Sequence, residues 1–88
     1  MSSFKIQVVD DRGVSVPGCS VGVYIEQGIT GGGVTSGQTD SYGWVEFDIP
    51  PHVVRRPTLQ AIYVEGKEVA SYLGDLHDGD TFSVTYPN

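Results

Sequence analysis

Every apolar run in this chain repeats with a period of two and is cut short by glycine or proline, of which the 88 residues hold twelve and five. Successive side chains of a strand point to opposite faces, whereas a helical face recurs about every 3.6 residues, so the pattern predicts short strands and no helix. Val45, Phe47 and Ile49 alternate with Trp44, Glu46 and Asp48, and Phe4, Ile6 and Val8 alternate with Lys5 and Gln7. Val21, Val23 and Ile25 alternate with Ser20, Gly22 and Tyr24, and Phe82, Val84 and Tyr86 with Thr81, Ser83 and Thr85.

Between these runs the punctuation is turn chemistry: Asp10-Asp11-Arg12-Gly13, Pro17-Gly18, Thr39-Asp40-Ser41-Tyr42-Gly43 and Pro50-Pro51. Glu65-Gly66-Lys67 reads as a hairpin turn joining strands over 58–64 and 68–73, and 76–80 reads as a polar turn. The segment from Gln27 to Gly37, which contains five glycines, reads as a flexible loop holding at most a weak edge strand around Val34. Six clear strands and one weak one, with no internal repeat or linker, predict a single all-β domain over 1–88. Its architecture is expected to be a small antiparallel β-sandwich of about seven strands, since each sheet can bury its apolar face only against another sheet.

The charge balance narrows the partners. A net charge of −6 from eleven carboxylates against five Lys and Arg leaves no basic stripe for a polyanion, so nucleic acid is not expected as a partner. The one basic pair, Arg55-Arg56 beside Pro57, reads as a surface pair for internal carboxylates. One cysteine, Cys19, excludes an internal disulfide and reads as a small buried hydrophobe. The opening MSSFKIQVVDD lacks the apolar segment of a secretory signal, and no run nears the ~20 apolar residues of a membrane span. As written, the chain is expected to be soluble and cytoplasmic with no membrane contact, or else a module cut from a larger protein.

Two segments carry a family resemblance. The run from Val8 to Val21, VVDDRGVSVPGCSV, resembles the opening of carboxypeptidase regulatory-like domains, and Thr39 to Phe47, TDSYGWVEF, looks like their second signature. Both belong to the prealbumin-like, or transthyretin-like, Ig-like sandwich. The resemblance covers roughly the first half of the chain, and Arg55-Arg56-Pro57 and the Glu65-Gly66-Lys67 hairpin depart from the family pattern. It implies a non-catalytic appendage that mediates folding or contact. The related hydroxyisourate hydrolases end in Tyr-Arg-Gly-Ser, whereas this chain ends Val84-Thr85-Tyr86-Pro87-Asn88, so that activity is not expected.

Other residue clusters read structurally. Gly28-Ile29-Thr30-Gly31-Gly32-Gly33 has no Lys-Ser or Lys-Thr after it and no helix to present amides to a phosphate. Asp75, Asp78 and Asp80 around His77 and Gly79 could offer oxygens to calcium, but their spacing fails the EF-hand template, and an Asp-Gly-Asp turn satisfies its own amides. His52 and His77 lie on separate loops without a serine or carboxylate placed to complete a triad. No cofactor, metal or catalytic residue is therefore predicted.

What remains is a surface. Parity puts Trp44 on the outer face of its strand, near Tyr42, where an indole serves as a protein hot spot or a platform for sugar stacking. Strand 58–64 mixes Leu59, Ala61 and Tyr63 with Ile62 and Val64, so one of its faces is expected to need a cover. The predicted binding residues are Trp44, Tyr42, Tyr24, Ile62 and Val64. The partner is expected to be a protein or a second copy; the alternative is an oligosaccharide held by Trp44 and the nearby tyrosine.

Overall fold

The computed structural model describes residues 2–26, 32–49 and 56–87, and all their regular structure is strand. Seven strands, β1 (Ser3–Val9), β2 (Ser20–Glu26), β3 (Gly32–Gln38), β4 (Trp44–Asp48), β5 (Thr58–Val64), β6 (Lys67–Asp75) and β7 (Thr81–Thr85), form two sheets ordered β4-β1-β7 and β3-β2-β5-β6. Phe4, Ile6, Val8, Val21 and Val23 are completely buried between the sheets, which is where the period-two stripes predicted them, and Leu59, Ile62 and Val64 of β5 are completely buried beside them. All neighbours pair antiparallel except β1 and β7, which run parallel. No helix among the described residues is long and apolar enough to cross a membrane.

Three local expectations change. The glycine-rich segment is a full strand: β3 pairs with β2 at seven consecutive positions, from Ser20 opposite Gln38 to Glu26 opposite Gly32. A strand without large side chains carries no alternation to detect, and its neighbour imposes the register. Leu76, expected in a polar turn, is only 1% exposed, and its N–H donates to Pro57 O at 2.9 Å. The mixed parity of β5 has an internal cause. Its register against β2 shifts between Tyr24 and Ile25, leaving Gln60 as the extra residue, so Leu59 points inward before it and Ile62 and Val64 point inward after it. β5 lies between β2 and β6, and on its other face Ala61 is buried and Tyr63 half-buried.

The two segments that carry the family resemblance are tied together at Thr39, the buried polar side chain of the core. Its hydroxyl donates to Val16 O at 2.8 Å and accepts the Cys19 N–H at 3.0 Å. Main-chain bonds from Gly18 N–H to Thr39 O and from Thr39 N–H to Cys19 O, both 3.0 Å, flank it. Thr39→Val keeps the shape but orphans one donor and one acceptor, so it is expected to cost about 1 to 3 kcal/mol, measured by urea denaturation. Thr39→Ser, which retains the hydroxyl, is expected to cost clearly less. Equal losses would mean the methyl group, not the hydroxyl, holds the two segments.

Candidate functional site

The turn before Trp44 is built by one carboxylate. Asp40 Oδ1 accepts the N–H groups of Tyr42 at 2.8 Å and Trp44 at 3.0 Å, while the Asp40 N–H donates to Trp44 O at 2.8 Å. Gly43, at φ 80°, closes the loop by donating to Asp40 O. The same turn occurs at the end of β1: Asp10 Oδ1 accepts from Arg12 and Val14, the Asp10 N–H donates to Val14 O, and Gly13, at φ 82°, donates to Asp10 O. Asp-Asp-Arg-Gly-Val and Asp-Ser-Tyr-Gly-Trp are thus one five-residue device used twice. Its signal, Asp-x-x-Gly followed by an apolar residue, was present in the sequence, where no repeat was expected.

The twin turns stand side by side. Gly43 O accepts the Val8 N–H and Val8 O accepts the Val16 N–H, both at 2.9 Å, and Gln7 Nε2 reaches Tyr42 O and Ser15 Oγ at 3.4 Å. This end of the molecule therefore presents Tyr42, 72% exposed, and Val14, 58% exposed, on backbone pinned by hydrogen bonds. Trp44, half-buried, lies on the outer face of the three-stranded sheet opposite Gln7, as its parity predicted. Beside it lies a shallow hollow of about 410 Å³ lined by Lys5, Asp40, Trp44, Val45, Glu46 and Thr81. An indole wall, an ammonium, two carboxylates and a hydroxyl offer both apolar contact and hydrogen bonding.

The other predicted binding residues do not join this surface. Ile62 and Val64 are completely buried, because the β5 bulge turns both into the core, and this removes them from any contact patch. Tyr24 is half-buried on the outer face of the four-stranded sheet, opposite Val34 and Ala61, and so lies on the far side of the sandwich from Trp44. Val14 was not anticipated as part of the surface, and neither was Tyr72, 86% exposed at φ 55° on the edge strand β6.

The groups weighed for chemistry are engaged with backbone. Asp78 Oδ1 accepts the Ser3 N–H at 3.0 Å and Asp80 Oδ2 accepts the His77 N–H at 2.9 Å. Among the described residues no three His, Cys, Asp or Glu side chains gather around a point suited to a metal. Cys19 is buried, with its sulfur 3.8 Å from Val16 O and 3.5 Å from the Thr39 hydroxyl. Arg56 reaches Leu76 O at 3.5 Å, while Arg55, His52 and the loop over 27–31 lie outside the described residues. No protein-family model matches this sequence, and nothing among curated proteins or solved structures matches it either.

Proposed function

We propose that this protein is a non-catalytic interaction or structural module of the transthyretin-like type that contacts a protein partner through its twin-turn end. The observation that carries this reading is the presentation of Tyr42 and Val14 to solvent on turns that Asp40 and Asp10 hold rigid, beside Trp44. Exposed aromatic and apolar side chains on pre-organised backbone lose little freedom on binding, which is what a contact hot spot needs. The transthyretin-like assignment rests on the resemblance of the two segments that Thr39 joins.

A second reading, carbohydrate binding, is favoured by the hollow in which Trp44 stands among Lys5, Asp40, Glu46 and Thr81. Trp44 is the sole tryptophan, so its emission separates the two. Immobilised wild-type protein is expected to retain a partner from a lysate of its source cells or to self-associate in sedimentation velocity. The Tyr42→Ser/Val14→Ser double variant is expected to lose that contact with its unfolding midpoint unchanged, while soluble oligosaccharides leave the indole emission unmoved. A saturable emission shift with an oligosaccharide would replace the protein reading with the sugar one.

A further inference from the structure

The outer edge of β4 has its hydrogen-bonding groups placed for an incoming strand. The Val8 N–H donates to Gly43 O and the Ile49 N–H donates to Ser2 O, which fixes the antiparallel phase between β1 and β4. Gly43, Val45, Phe47 and Ile49 turn their main-chain groups toward β1, so Trp44, Glu46 and Asp48 turn theirs away from it. At Trp44 both groups are already taken by Asp40. Two consecutive outward positions, Glu46 and Asp48, therefore remain on this edge, and no other strand among the described residues pairs with it.

Side chains at the same positions define what would fit. Glu46 and Asp48 are exposed on the outer face, whereas Phe47 between them points to the core and is 4% exposed. Along this edge the two sheets part, leaving a hollow of about 390 Å³ between Thr35, Ser36 and Gly37 on β3 and Glu46, Phe47 and Asp48 on β4. An antiparallel strand would place two of its residues directly opposite Glu46 and Asp48, on the carboxylate face, and the residue between them over the hollow.

We infer that this edge accepts an extended peptide of alternating basic, apolar and basic residues, which adds to β4 as a fourth strand of the β4-β1-β7 sheet. Charge selects this occupant over a second copy. Two β4 edges brought together would set carboxylate against carboxylate on a chain already at −6, whereas Lys or Arg opposite Glu46 and Asp48 gives two favourable cross-strand pairs. The free edge of β6 is less suitable, because two register shifts and the left-handed backbone of Tyr72 break its line. Strand addition here rests on the reading as an interaction module but uses a different surface from Tyr42 and Val14.

The probe is a capped synthetic peptide, Ser-Lys-Val-Lys-Val-Ser, titrated into the isotopically labelled protein. The expected result is saturable movement and slowed exchange of the Glu46 and Asp48 amides. Affinity is expected to fall about tenfold in the Glu46→Gln/Asp48→Asn variant, which keeps an acceptor for the 2.7 Å bond from Ser3 Oγ to Glu46, and to vanish for a peptide N-methylated at alternate residues. Movement of these amides with protein concentration alone would overturn the choice of occupant in favour of a second copy. Equal binding of the N-methylated peptide, or no binding at millimolar peptide, would overturn strand addition. Either failure leaves the lysate contact of the Tyr42 and Val14 end intact, and loss of that contact leaves this titration unchanged.

Discussion

Gly43→Ala is expected to lower the unfolding free energy by about 2 to 5 kcal/mol, combining ~1 to 2 for a left-handed backbone with ~1 to 3 for overpacking. Gly43 sits at φ 80°, and a Cβ placed there would lie 2.8 Å from Val8 O, 3.1 Å from Ser15 Cβ and 3.2 Å from Val16 N. Two of those neighbours are main chain and cannot swing aside, since Val8 O is itself bonded to the Val16 N–H. The duplicated turn supplies an internal control. Gly13 has φ 82° and nothing within 4 Å of an added Cβ, so Gly13→Ala should cost only the conformational part, roughly 1 to 2 kcal/mol. Urea denaturation of the two variants measures the difference directly. Equal losses would mean that the twin turns do not press together as described.

Phe4→Ala is expected to cost about 3 to 5 kcal/mol, the usual range for emptying an aromatic site in a core. Phe4 is completely buried, stacks on Phe47 at a centroid distance of 5.6 Å and 28° between planes, and meets Phe82 edge-on at 6.0 Å and 83°. Removal therefore opens a cavity and breaks two ring contacts that link all three strands of the β4-β1-β7 sheet. For a domain with roughly 4 to 13 kcal/mol in total, at ~0.05 to 0.15 kcal/mol per residue, such a loss moves the thermal midpoint by more than ~12 °C. Calorimetry showing a shift below ~4 °C would mean that the three rings do not form the packed centre of that sheet.

The parts of this fold that could be read in advance were those in which one residue type repeats on one face. β1, β2, β4 and β7 carry unbroken alternation, and their burial follows it, down to Trp44 on the outside and Phe47 within. The Glu65-Gly66 hairpin was legible as well, because both residues adopt positive φ, 51° and 81°, in a two-residue turn that favours glycine. β5 misled because a single extra residue at Gln60 inverts the phase, and a bulge has no compositional mark. That inversion turned Ile62 and Val64 from candidate contacts into core. Of the candidate site, Trp44 and Tyr42 were visible through parity and turn chemistry. Val14 was not, because its exposure depends on its place at the end of the Asp10 turn and not on the alternation of a strand.

The parallel contact between β1 and β7 has a temporal side. β1 is the central member of its sheet, flanked by β4 and by a strand that begins only at Thr81, so its second flank stays open until synthesis has passed β7. A polypeptide emerging from the ribosome cannot close this half of the molecule progressively. Distant segments must find each other in a late step of high contact order, and Phe4, Ile6 and Val8 stay vulnerable to misassembly until they do.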